Sequence, residues 1–138
     1  MTDERLRISS GGPWEGSAGY SRAVVVGERV IVSGTTDAGP DGRSLHPGDA
    51  GAQARAAFAI VERALAEAGA TRDDVVRTRM YLVDRADVAA VTAVHGELFG
   101  RARPAATLVL VAGLIDATLR VEVEAEAVVA RLPAEQGS

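Results

Sequence analysis

Arg103-Pro104-Ala105-Ala106-Thr107-Leu108-Val109-Leu110-Val111 is the stretch on which the fold turns. It reads as a strand. Side chains alternate across a strand, so Thr107, Val109 and Val111 share one side and Ala106, Leu108 and Leu110 the other. Both sides are largely apolar, and such a strand expects cover on both.

The flanking segments follow from their periodicity. Upstream, Asp84 to Phe99 is predicted to be a helix: Val88, Val91, Val94 or His95, and Leu98 recur every three or four residues, and Gly100 ends it. Downstream, Gly113 to Ala117 forms a turn, and Thr118 to Val129 is the longest predicted strand. Val121, Val123, Ala125 and Ala127 alternate there with Glu122, Glu124 and Glu126. Val75 to Val83 is another strand, with Val76, Thr78, Met80 and Leu82 on one side and Arg77, Arg79 and Tyr81 on the other. The two arginines are expected to pair across the sheet with the glutamate row.

The first half has the same grammar. Asp49 is a good N-cap for an alanine-rich helix from Ala50 to Ala68, with Gly69 as its stop and Phe58, Val61, Leu65 and Ala68 as its buried stripe. Ala23–Val26 and Arg29–Val32 flank Gly27-Glu28, a two-residue hairpin turn. Residues 5 to 9 form a short edge strand. Residues 10 to 19 form a glycine-rich loop with Trp14 as an anchor packed on the domain. Residues 37 to 48 form a turn-rich loop in which His46 is a solvated side chain. Ser33-Gly34 closes the hairpin, and its glycine permits close approach of a ligand or another chain. Pro133 to Ser138 is expected to fray.

The element order is therefore β(ββ)αβαββ. Right-handed crossovers place both helices on one sheet face. The other face is left open, with Ala106, Leu108, Leu110 and Tyr81 expected there beside Glu122. A patch of that kind marks an interface, so a homo-oligomer is expected.

Composition narrows the function. The 138 residues carry a net charge of −4, which argues against a general nucleic-acid binder. All 15 basic residues are arginine, so a protein lysine cannot anchor pyridoxal phosphate. Cysteine is absent, which removes thiol nucleophiles, disulfides and thiolate metal sites and suits a cytoplasmic protein. The two histidines, His46 and His95, are too few for a multi-histidine metal centre. No metal and no cofactor is expected, and neither a signal peptide nor a membrane span is read in the sequence.

In order and spacing, several short pieces resemble the Rid family, also called YjgF or endoribonuclease L-PSP proteins, over roughly residues 8 to 130. They are Gly19-Tyr20-Ser21, Val32-Ser33-Gly34, Gln53-Ala54, Val75-Val76-Arg77-Thr78, Arg103-Pro104-Ala105 and Val121-Glu122-Val123-Glu124-Ala125. The resemblance implies one domain over 1–138 and an α+β, chorismate-mutase-like fold. That fold is a six-stranded, mainly antiparallel sheet with two helices on one face. It further implies a homotrimer with small-molecule pockets between subunits. The implied chemistry is imine and enamine hydrolysis, of the 2-iminobutanoate/2-iminopropanoate deaminase kind. An arginine grips the substrate carboxylate and a glutamate positions water or moves protons.

Carried over residue by residue, the catalytic set is Glu122, Tyr20 and His95. The ligand-binding set is Ser33, Gly34, Thr92, Ala106, Thr107 and Leu108. Ala106 stands where the family arginine belongs. A hydrogen bond to a charged group is worth about 1.5–3 kcal/mol, so poor activity on small imino acids is expected. Arg22, Arg79 and Arg103 are the arginines that could substitute. Three readings follow: an enzyme retuned to a larger or uncharged reactive nitrogen compound, a non-catalytic small-ligand module, and an endoribonuclease. An unpaired Glu122 pointing into a closed intersubunit pocket marks the enzyme, and an apolar pocket with Glu122 tied in a salt bridge marks the binding module.

Overall fold

Valine-rich alternation builds the sheet, and alanine-rich stretches build the helices that cover it. The computed structural model describes residues 5–130; the N-terminal four residues and the end expected to fray lie outside the described residues. In chain order the elements are β1 (Arg5–Ile8), α1 (Glu15–Ala18), β2 (Ala23–Val26), β3 (Arg29–Thr35), α2 (Ala50–Glu67), β4 (Val75–Leu82), α3 (Val88–Phe99), β5 (Ala105–Leu110) and β6 (Val121–Val128). The strands form one six-stranded sheet in the order β1-β2-β3-β6-β4-β5. Every neighbouring pair is antiparallel except β4 and β5, which are parallel. This is the expected α+β architecture, with α2 and α3 packed against one sheet face.

Helix α2 begins as its sequence dictates. The Asp49 side chain accepts a hydrogen bond from Ala52 N at 3.0 Å, satisfying a backbone donor that the first turn leaves without a partner. Gly69, at φ 81°, takes the left-handed conformation that ends the helix. Asp49→Ala is expected to cost about 1 kcal/mol, read as a lower midpoint in urea with an unchanged slope. Phe58, Val61 and Leu65 are fully buried, as the stripe predicts. Phe58 meets Phe99 edge-on at 5.2 Å between ring centres, which locks α2 to α3.

Gln53 is the polar pin of this face. It is completely buried, yet Nε2 donates to His46 O (3.1 Å) and Thr118 O (3.0 Å), and Oε1 accepts from Arg120 N (2.8 Å). One side chain thus ties α2 to the 37–48 loop and to the segment entering β6. Gln53→Leu keeps the volume but strands three backbone groups. It is expected to cost at least about 1–3 kcal/mol, seen as a fall in melting temperature.

The register corrects the expected faces. Thr78, Met80 and Leu82 pair with Ala106, Leu108 and Leu110, so those β5 residues lie on the helix side. Arg79 and Tyr81 pair with Thr107 and Val109, which share the open face with Glu122, Glu124 and Glu126. Nor is β5 covered on both sides. It is the sheet edge, and within one chain Leu108 alone among its residues is packed against the core. An apolar pattern reports that cover is needed, but not which chain supplies it.

Other differences are local. A register shift between Val75 and Arg77 puts Val75 in the core and leaves Val76 exposed, because a bulge reverses the alternation for one residue. The second long helix starts at Val88, after a 3₁₀ turn at Arg85–Asp87 capped by Asp84. The last strand starts at Val121. Before it, Asp116 accepts from Thr118 N and Oγ1, a turn bond that competes with the ladder. The 10–19 loop contains the short helix α1.

Candidate functional site

The site begins with an extra residue in β3. Val32 pairs with Ala125 and Thr35 with Val123, so three residues of β3 span two of β6. A bulge of this kind bends the strand and re-aims side chains. Here it lays the Glu122 carboxylate directly over Gly34. A Cβ at Gly34 would collide with Glu122 Oε2, so a glycine is what makes room for the acid.

Glu122 stands apart from its row. Glu124 takes Arg79 at 3.1 Å and the Tyr81 hydroxyl at 2.9 Å, and Glu126 takes Arg29 and Arg77. This is the cross-sheet pairing expected from the sequence. Among the described residues, no hydrogen bond or ion pair reaches the Glu122 carboxylate. Burial pushes its carboxyl above the ordinary glutamate range; the neighbouring Glu124 charge adds to this, and Arg22 partly offsets it.

Arg22, just ahead of β2, lies beside this acid and is 9% exposed. Its Nη1 donates to Gly34 O (2.7 Å) and Thr35 Oγ1 (3.0 Å), its Nε donates to Ser10 Oγ (3.3 Å), and its guanidinium lies 5.6 Å from the Tyr20 ring centre. The glycine-rich loop beyond is fastened by Glu15, whose Oε2 accepts from Ser10 N, Ser10 Oγ and Gly12 N. Burial acts to raise the Glu15 carboxyl, but hydrogen bonds from Ser9, Ser10 and Gly12 outweigh it and hold the group below the ordinary range. These elements enclose an open groove of about 730 Å³, with Tyr20, Arg22, Gly34 and Glu122 among its lining.

The opposite wall is the 36–45 loop, anchored at His46 in a way the sequence pattern does not show. His46 is not simply solvated: its Nδ1 lies 3.0 Å from Asp37 Oδ2. That carboxylate is buried and also accepts from Ser44 Oγ and His46 N. Trp14 likewise is no packed anchor. It is 48% exposed, lying across Gly42 at the groove.

The carried-over residues divide into two groups. Tyr20, Gly34 and Glu122 meet in the groove. Ser33 is adjacent, but its hydroxyl is spent on Ser21 O at 2.6 Å. Thr92, His95, Ala106, Thr107 and Leu108 lie on α3 and β5, outside the groove lining. His95 is held between Phe58 and Phe99 with Nε2 2.7 Å from Thr78 Oγ1, and burial lowers its basicity. Thr92 Oγ1 bonds back to Val88 O in its own helix. Within one chain, His95 therefore does not assist Glu122. Of the candidate substitutes for the missing arginine, Arg79 is paired with Glu124, Arg103 is exposed beside β5, and Arg22 lines the groove. Sequence reading underweighted Arg22 and Trp14; the available signal was the position of Arg22 directly after Tyr20-Ser21.

Among the described residues, no cluster of three or more His, Cys, Asp or Glu side chains is placed to hold a metal, and no helix is long and apolar enough to cross a membrane.

A sheet with two helices on one face, and an unpaired acid over a glycine bulge in an open groove, define a small α+β protein with a ligand-sized cleft. The chain belongs to the endoribonuclease L-PSP family, whose model matches residues 14–129, the family also called Rid or YjgF. It is 45% identical over 128 residues to an uncharacterized protein of Streptomyces coelicolor, covering 92% of this chain and 95% of that one. It is 33% identical over 106 residues to the 3-aminoacrylate deaminase RutC of Acinetobacter baylyi, covering 77% of this chain and 83% of that protein. Among solved structures, Rv2704 of Mycobacterium tuberculosis, a member of the YjgF/YER057c/UK114 family, superposes with a TM-score of 0.82 at 44% identity, covering 91% of this chain and all of that one.

Proposed function

We propose that the protein is an imine or enamine hydrolase in which Glu122 is the acid and base, acting on a substrate other than the small imino acids. The carrying observation is that Glu122 alone of its row has no arginine or hydrogen-bond partner among the described residues, while burial favours its protonated form. An unpaired carboxylate is one of the two marks of the enzyme, the closed intersubunit pocket being the other, and it speaks against the salt-bridged arrangement of a binding module. A relative named as a 3-aminoacrylate deaminase supports the reaction class.

The chemistry balances with one carboxyl group. Protonated Glu122 gives its proton to the imine nitrogen, which makes the carbon electrophilic. Water adds to that carbon, and the Glu122 carboxylate takes the released proton. The carbinolamine collapses to a carbonyl compound and ammonia. The open groove gives the substrate access, and Gly34 makes room for the Glu122 carboxylate.

The β5 and α3 residues enter this reading through assembly. A homotrimer burying the open face and the β5 edge would bring Ala106, Leu108, Thr92 and His95 of one subunit to the Glu122 groove of the next. Light scattering on the eluted protein is expected to give three times the chain mass. Generated 2-aminoacrylate and bulkier imines then test the substrate claim. Wild type is expected to prefer the bulkier imines, and Ala106→Arg to shift preference toward 2-aminoacrylate. Equal rates on all of them, unchanged by Ala106→Arg, would remove the retuned-pocket reading.

A further inference from the structure

We infer that Arg22 is an anion-recognition residue of this groove, so that the ligand carries a carboxylate attached to an apolar body. Seven other arginines (29, 55, 72, 77, 79, 101 and 120) pair with carboxylates. Arg22 is more buried than they are, yet among the described residues its hydrogen bonds go only to neutral oxygens. The nearby Glu122 makes no ion pair with it; a guanidinium withdrawn from water without a paired carboxylate is costly, and the cost is recovered when an anion binds it directly.

The geometry leaves it free to do so. Nε and Nη1 hold the strand and the loop, whereas Nη2 has no acceptor among the described residues. Nor is Nη2 sealed from solvent: the sole fully buried side-chain polar atom without a partner, among the described residues, is Asp37 Oδ1. Nη2 is therefore reached by solvent, and Arg22 lines the groove. An N–H of Nη2 can donate a charge-assisted hydrogen bond to a carboxylate oxygen. The guanidinium carbon lies within cation–π reach of the Tyr20 ring.

The apolar body follows from the rim. Trp14, Leu45 and Ile115 line the same groove and are 48%, 64% and 93% exposed. An aromatic or branched ligand would cover them while its carboxylate reaches Arg22. Arg22 is thus a candidate for the role that Ala106 cannot fill, from the segment just ahead of β2 and on the Glu122 side of the site. The inference rests on reading the groove as the ligand site, but not on hydrolysis occurring there.

Trp14 is the sole tryptophan, so its fluorescence reports occupancy directly. Phenylacetate and phenylacetamide are titrated against wild type, Arg22→Lys and Arg22→Gln, with melting temperature recorded for each. Phenylacetate is expected to bind wild type about tenfold or more tighter than the amide. Arg22→Gln is expected to lose that preference and Arg22→Lys to keep part of it. Equal binding of acid and amide, no saturable binding of the acid, or an undiminished preference in a folded Arg22→Gln protein would overturn the inference. If Arg22→Gln fails to fold, the acid-to-amide ratio of wild type and Arg22→Lys decides. Phenylacetate binding without turnover of any imine would sustain the anion site while removing the hydrolase.

Discussion

Glu122→Gln is expected to lower imine hydrolysis by about 10²–10⁴-fold without unfolding the protein. The amide keeps the size and the place over Gly34 but can neither give nor take the proton. Because no partner holds the carboxylate among the described residues, the substitution strands no buried donor. Stability is expected to move the other way from activity. The folded-state carboxyl is held above its ordinary value by burial and then by Glu124, so the folded protein binds this proton more tightly than the unfolded chain does. The stabilising contribution is full below the ordinary glutamate range and is lost as pH rises through the raised value. A residue that stays neutral at every pH escapes that loss. The melting temperature of Glu122→Gln should therefore gain on wild type as pH rises from acid to neutral. A gap that shrinks or stays constant would mean that Glu122 is not a buried, unpaired acid.

Gly34→Ala is expected to reduce turnover by about 10²-fold through misplacement of the acid, with less than about 1 kcal/mol change in stability. The backbone tolerates the methyl group, since Gly34 is not among the glycines with positive φ. The added Cβ instead strikes the Glu122 carboxylate, the far end of a flexible side chain, which can swing away. Fold and acid are both retained, and only their relation changes. Activity near the wild-type level in Gly34→Ala would show that the position over residue 34 is not the working one.

Much of this was legible in the residues. The Glu122-Glu124-Glu126 alternation set the face of β6, and Asp49 with Gly69 set the ends of α2, because both signals are local. What failed was non-local. Residues of β5 were assigned to the wrong face because the chain's pattern does not state a parallel register with β4. The β4 bulge moved Val75 inward, and the β3 bulge aimed Glu122, yet neither carries a marker in the alternation beyond Gly34 itself. The Asp37–His46 contact joins two loop positions that no period connects. Tyr20, Gly34 and Glu122 were found through short pieces of family resemblance, and those pieces could not say that His95 is engaged by Thr78 and two phenylalanines. Arg22 stands in the sequence only as one of three candidate substitutes, because an arginine just ahead of a strand is ordinarily solvated, and only the tertiary fold buries it.

The central claim is that Glu122 does acid–base work on a reactive nitrogen compound in this groove. The most direct test is the enzymatic rate of imine hydrolysis over background, on freshly generated bulky imines, measured across pH for wild type and Glu122→Gln. Wild type should accelerate hydrolysis, with activity persisting above the pH at which an ordinary glutamate loses its proton and then falling, while Glu122→Gln stays near background throughout. Wild type at background on every imine, or Glu122→Gln as fast as wild type, would contradict the claim.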